Sequence, residues 1–110
     1  MQEDNENLNQ RPVPAAALRD SNAVEILRVW IADQKLHCSM KVGMYRDSMN
    51  IPEEIAWGTI LADVARHVAS AMSSMYGERG DECLVKIRDS FINEIGDPTS
   101  STSGSFVERH

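Results

Sequence analysis

The chain has 110 residues, 42% of them hydrophobic, and a formal net charge of −6. That suffices for one small domain with tails, and the acidic balance excludes a protein that grips nucleic-acid phosphates on a broad basic surface. No apolar run approaches the roughly 20 residues of a membrane span, and the acidic start MQEDNENLNQ is the opposite of a secretory leader, so the expected setting is the cytoplasm, with no membrane partner.

Residues 1–21 read as a disordered or extended tail. The first ten have almost no apolar side chain, and Arg11-Pro12-Val13-Pro14 is a stiff, extended spacer. Ala15 to Arg19 has the composition of one helical turn without a strong cap. Asp20-Ser21-Asn22 is a turn that launches the ordered domain, expected over 22–98.

Ala23 to Met44 predicts a β-hairpin. Its first half is rich in Val, Ile, Leu and Trp, and its second half alternates: Leu36, Cys38, Met40 and Val42 point one way, Lys35, His37, Ser39 and Lys41 the other. A two-residue turn at Asp33-Gln34 sets Ile31 opposite Leu36, Val29 opposite Cys38 and Leu27 opposite Met40. One face is then wholly apolar. The other sets Ile26, Arg28 and Trp30 against Lys41, Ser39 and His37. A longer turn is the alternative, and a slip of one residue would turn Lys35 and Lys41 into the core. Two strands are marginal in water, so a further strand or a second chain is expected beside them.

Tyr45 to Met49 reads as a connector. Asn50 followed by Glu53 has the spacing of a capping box, with Pro52 suited to a first helical turn, and predicts a helix over Ile51 to Tyr76 that stops at Gly77. Its apolar stripe is Trp57, Ile60, Leu61, Val64, Val68, Met72 and Met75. Asp81 is the expected N-cap of a second helix reaching Ile95 and closed by Gly96. Residues 99–110 begin as a Ser/Thr/Gly stretch and read as a flexible tail, with Phe106-Val107 as an apolar island.

The fold expected is therefore α+β in the order β-β-α-α, with both helices covering the apolar hairpin face. The run EILRVWIADQKLHCSMKVGMY followed by IPEEIAWGTILADVARHVASAM resembles a small family of bacterial proteins known only as a domain of unknown function. The resemblance covers Val24 to Pro98 and extends to the DPTS segment at Asp97 to Ser100. It implies a compact α+β domain in a bacterial cytosol and assigns no catalytic residue. One departure stands in the turn, Asp33-Gln34 where Asp-Gly is expected.

Three groups of residues are candidates for chemistry. Ile26, Arg28, Trp30, His37 and Lys41 share the outer hairpin face, a platform for a ligand or an anion, or a subunit contact. Asp63, Arg66 and His67 lie three and four residues apart on one helix face. Asp63 there has the spacing to orient His67 as a general base, although a solvated ion pair explains the same spacing. Cys38 and Cys83, without CxxC spacing, read as free thiols and no zinc site, with Cys38 a small hydrophobe of the core face. Nothing resembles a P-loop, a Rossmann glycine motif, a zinc helix or a nucleophile elbow. No catalytic residue, cofactor or metal is therefore expected, and an enzyme is the least favoured reading. The first expectation is a small cytosolic interaction or accessory module acting as a homodimer, with a further protein partner allowed. The alternative is a small-molecule or anion-binding domain using the outer sheet face around Trp30 and His37.

Overall fold

The computed structural model describes residues 8–107. The tail expectations for residues 1–7 and 108–110 lie outside the described residues. In chain order the elements are α1 (Ala15–Arg19), β1 (Leu27–Ala32), β2 (Lys35–Lys41), α2 (Met44–Met49), α3 (Glu53–Tyr76), α4 (Gly80–Gly96) and β3 (Thr102–Val107). The class is α+β, with a hairpin followed by helices, as the sequence predicts. No helix among the described residues is long and apolar enough to cross a membrane.

β1 and β2 pair antiparallel in the predicted register: Leu27 faces Met40, Val29 faces Cys38, Trp30 faces His37 and Ile31 faces Leu36. The two-residue turn holds although it lacks glycine. Asp33 and Gln34 both take left-handed backbone, φ 54° and 63°. A turn of this twist requires that at both central positions.

The expected extension of the sheet is supplied by the chain itself. β3 pairs parallel to β2, from Leu36 with Thr102 to Lys41 with Val107, and the strand order is β1-β2-β3. This corrects the reading of the Ser/Thr/Gly stretch as tail. The strand exists because the second edge of β2 presents unpaired backbone donors and acceptors. Gly104 makes the approach possible. Its φ is 140°, and a Cβ there would collide with the backbone carbonyl of Cys38.

The helical half departs from the sequence reading in its caps. Tyr45 to Met49, expected as a connector, lies in the short helix α2. Asn50 is not the N-cap of the long helix. It ends α2 in left-handed backbone, φ 55°, and the Ile51 N–H donates to the Tyr45 carbonyl at 3.1 Å. α3 starts after Pro52, with no side-chain cap of its own. Gly77, φ 70°, closes α3 as expected, its N–H donating to the Ser73 carbonyl at 3.0 Å. Asp81, predicted to cap α4, sits inside its first turn and pairs with Arg79 at 2.8 Å. α4 folds back on α3, with Gly80 lying over Ala69 and Ser73. Beyond α4 the Glu94 carboxylate accepts the Thr99 N–H at 2.7 Å and its hydroxyl at 2.9 Å, which directs the chain toward β3.

The largest correction concerns the core. The two helices do not cover the apolar hairpin face. α3 packs on α4 and on α2, while the strands pack only on one another, apart from at most one marginal contact. Ile31 is 80% exposed, Val29 and Leu36 are exposed beside it, and Phe106 is exposed next to Met40 at the other end of the same face. Among the described residues only Ala69 and Cys83 form a buried apolar core. The radius of gyration is 16.1 Å, where a compact domain of this length has about 13 Å. An amphipathic pattern states that a face needs cover and does not state which element supplies it.

Candidate functional site

The one buried charged side chain among the described residues is Glu53, in the first turn of α3. Its carboxylate reaches back to the start of α2. Oε2 accepts the Gly43 N–H at 2.9 Å and the Trp57 indole N–H at 3.0 Å. Oε1 accepts the Arg46 N–H at 3.0 Å. Gly43 is the N-cap of α2 and Arg46 lies in its first turn, so these are donors that a helix start leaves without intrahelical partners. α2 has no side-chain cap of its own. Glu53 acts as its cap from 7 and 10 positions downstream. Gly43 has φ 105°, backbone that favours glycine, where β2 gives way to α2.

The electrostatics follow from those bonds. The Gly43 N–H holds the Glu53 carboxyl below its ordinary value of 4.5; burial opposes this, and the Arg46 N–H and the Trp57 indole add to the lowering. A carboxylate so held is ionised, with both oxygens engaged, and is a poor general base near neutral pH. Its role is to anchor. It ties the exit of the sheet to the entry of the long helix.

Around this clamp lies an open recess of roughly 630 Å³, to which Val42, Asp47 and Glu54 contribute. A second hollow of roughly 370 Å³ shares Arg46 and Glu54 and extends to Ile51 and Pro52. Arg46 and Glu54 form an exposed ion pair at 3.5 Å on the shared wall.

The residues singled out in the sequence lie elsewhere. Ile26, Arg28, Trp30, His37 and Lys41 do share one sheet face. Trp30 is opposite His37 and Arg28 opposite Ser39, and the Lys41 N–H donates to the Ile26 carbonyl at 3.0 Å. His37 Nε2 lies 3.1 Å from the Ala32 carbonyl oxygen. Arg28 pairs with Glu25 at 3.0 Å and is exposed, while the other four are half-buried. On α3, Asp63 pairs with Arg66, and among the described residues His67 makes no side-chain bond. The geometry is that of the surface ion pair, without an oriented imidazole. Cys38 is half-buried and Cys83 buried, both free thiols. Burial pushes the Cys83 thiol up, and its hydrogen bond to Glu78 at 3.5 Å adds to this, so it is not poised as a thiolate.

Sequence reasoning missed Glu53 as a site residue by reading it as a cap for its own helix. A signal was available. Gly43 precedes Met44-Tyr45-Arg46, a stretch with no Ser, Thr, Asp or Asn positioned to cap it.

Fold and corner together define a small α+β domain, a mixed three-stranded sheet joined through a carboxylate-clamped turn to a helical hairpin. The chain belongs to the family described as Domain of unknown function (DUF5076), whose profile matches residues 10–99. That match stops short of β3. A search of curated proteins returns no match. Among solved structures, the chain is similar to a protein of the photosynthetic bacterium Rhodopseudomonas palustrus CGA009 that carries the provisional name pyruvate dehydrogenase. Identity is 26%, the TM-score is 0.64, and the alignment covers 94% of this chain and 96% of the other.

Proposed function

We propose that this domain is an interaction module of the bacterial cytoplasm that works as a homodimer. The observation that supports it is the bare sheet face formed by Val29, Ile31, Leu36 and Phe106. Soluble monomers rarely leave a contiguous apolar patch of that kind open to water. The source of the similar solved structure is in keeping with a bacterial setting. Sedimentation equilibrium at micromolar concentration tests the proposal. The expected mass is twice that of the chain, and a monomer mass that does not change with concentration overturns it.

A further inference from the structure

One chain carries two bare apolar surfaces that do not meet. The first is the sheet face. The second lies on the helical hairpin, where Leu61, Val64, Val68 and Met75 form an exposed stripe along α3 and Phe91, Ile92 and Ile95 an exposed cluster on α4. The spacing on α3, with steps of three, four and seven, keeps its members on one side of the helix. A helix pair of this kind and a sheet face of this kind are the usual two layers of an α+β core. Here both layers are present and the core between them is not assembled.

Area gives the scale. The chain exposes 9183 Å² at a mass of 12.3 kDa, where a compact monomer exposes about 6,100 Å². The ten residues outside the described range account for at most about 1,900 Å² of that excess. Of the roughly 1,200 Å² that remains, part lies on the exposed segment from Leu8 to Glu25 and the rest on the apolar faces, where a standard stable interface takes roughly 800 Å² per partner. The Glu53 clamp ties the start of α2, just after β2, to the first turn of α3.

We infer that the missing layer comes from a second copy of the chain: the α3–α4 hairpin of each protomer covers the Val29, Ile31, Leu36 and Phe106 face of its partner. This rests on the homodimer reading and adds its geometry. The contact is reciprocal about a two-fold axis, so it closes at two chains and covers both bare surfaces at once.

The test is charge complementation with the full chain. Ile31→Lys alters the sheet surface and Ile92→Glu the helical one. Both side chains are exposed in the protomer, so each variant is expected to keep the wild-type helix content by circular dichroism. The pair Phe106→Lys and Ile95→Glu replaces any member that does not. Each variant alone should dimerise at least about 100-fold more weakly than wild type, because each of its two interfaces must accept an unpaired charge. A one-to-one mixture should recover dimers, since the mixed pair has one unaltered interface and one that matches Lys with Glu. If both substitutions weaken dimerisation but the mixture shows no recovery, the reciprocal cover is overturned and the dimer stands. If only one of the two substitutions weakens dimerisation, the reciprocal cover is likewise overturned. If wild type is a monomer, both readings fall.

Discussion

The Glu53 corner and the apolar sheet face are built on opposite terms. At the corner three donors from two elements converge on one carboxylate, and every oxygen has its partner within 3.0 Å. On the sheet face the side chains are set in register and then left open to water. Shape is fixed by a few directed polar bonds, while much of the apolar surface is uncommitted within one chain. Hydrogen bonds specify geometry because they are directional; apolar contact is not, and any surface of suitable shape can supply it.

The strongest way to break this contrast is Glu53→Gln. It keeps the size of the side chain but sets an amide NH2 among N–H donors. The melting temperature is expected to fall by several degrees, with faster amide exchange at Gly43 and Arg46 and a more exposed Trp57 in fluorescence. Acid should reproduce the effect in the wild type. The folded carboxyl titrates below its ordinary value of 4.5. Its contribution is thus complete above that value and is lost as the pH falls through the lower folded one. Asp81, held down by Arg79, and Glu94, held down by Thr99, act in the same direction. A Glu53→Gln protein with an unchanged acid limb would show that the corner is not where acid acts.

Gly104→Ala tests the other region. The added methyl meets the Cys38 carbonyl, and the φ of 140° suits glycine. A local cost of about 1–3 kcal/mol is expected, read as lost amide protection across Thr102–Val107 with the α3 and α4 amides unchanged. Equal loss in the helices would mean that sheet and helical hairpin unfold as one unit.

The smallest effect belongs to the turn. Gln34 has φ 63° without being glycine. Relief of that conformation, less the added freedom of the unfolded chain, predicts that Gln34→Gly stabilises by about 0.5–1 kcal/mol. Thermal melts at neutral pH check the sign.

How much of this was legible follows from which interactions are local. The hairpin register could be read because alternation from Lys35 to Val42 admits one placement with an apolar face. The ends of the long helices at Gly77 and Gly96 could be read because glycine marks a chain that stops winding. α2 could not be read from its own six residues, since its cap is Glu53, beyond its end. β3 could not be read because Thr102 to Val107 has neither alternation nor many β-branched side chains; it is a strand by virtue of the edge it meets. The outer-face residues share one sheet face because the register sets them there, and the i, i+3 spacing of Asp63 and Arg66 already offered the surface ion pair that forms. The failure over helix cover is of the same kind. Val64 and Ile31 each announce a need for contact, and periodicity cannot say with what.

β2 is bordered by neighbours of very different origin. β1 reaches it across a two-residue turn, while β3 reaches it from sixty-six positions along the chain, as His37 with Ser103. Joining ends over so long a span costs roughly 2–3 kcal/mol more in loop-closure entropy than joining them over a tight turn. Parallel pairing is also slightly less stable per residue than antiparallel. The two seams of one small sheet therefore have unequal histories. The hairpin is complete as soon as its own residues meet. The outer seam waits for both helices to be laid down and for Glu94 to turn the chain back, and until then β2 stands as an open edge.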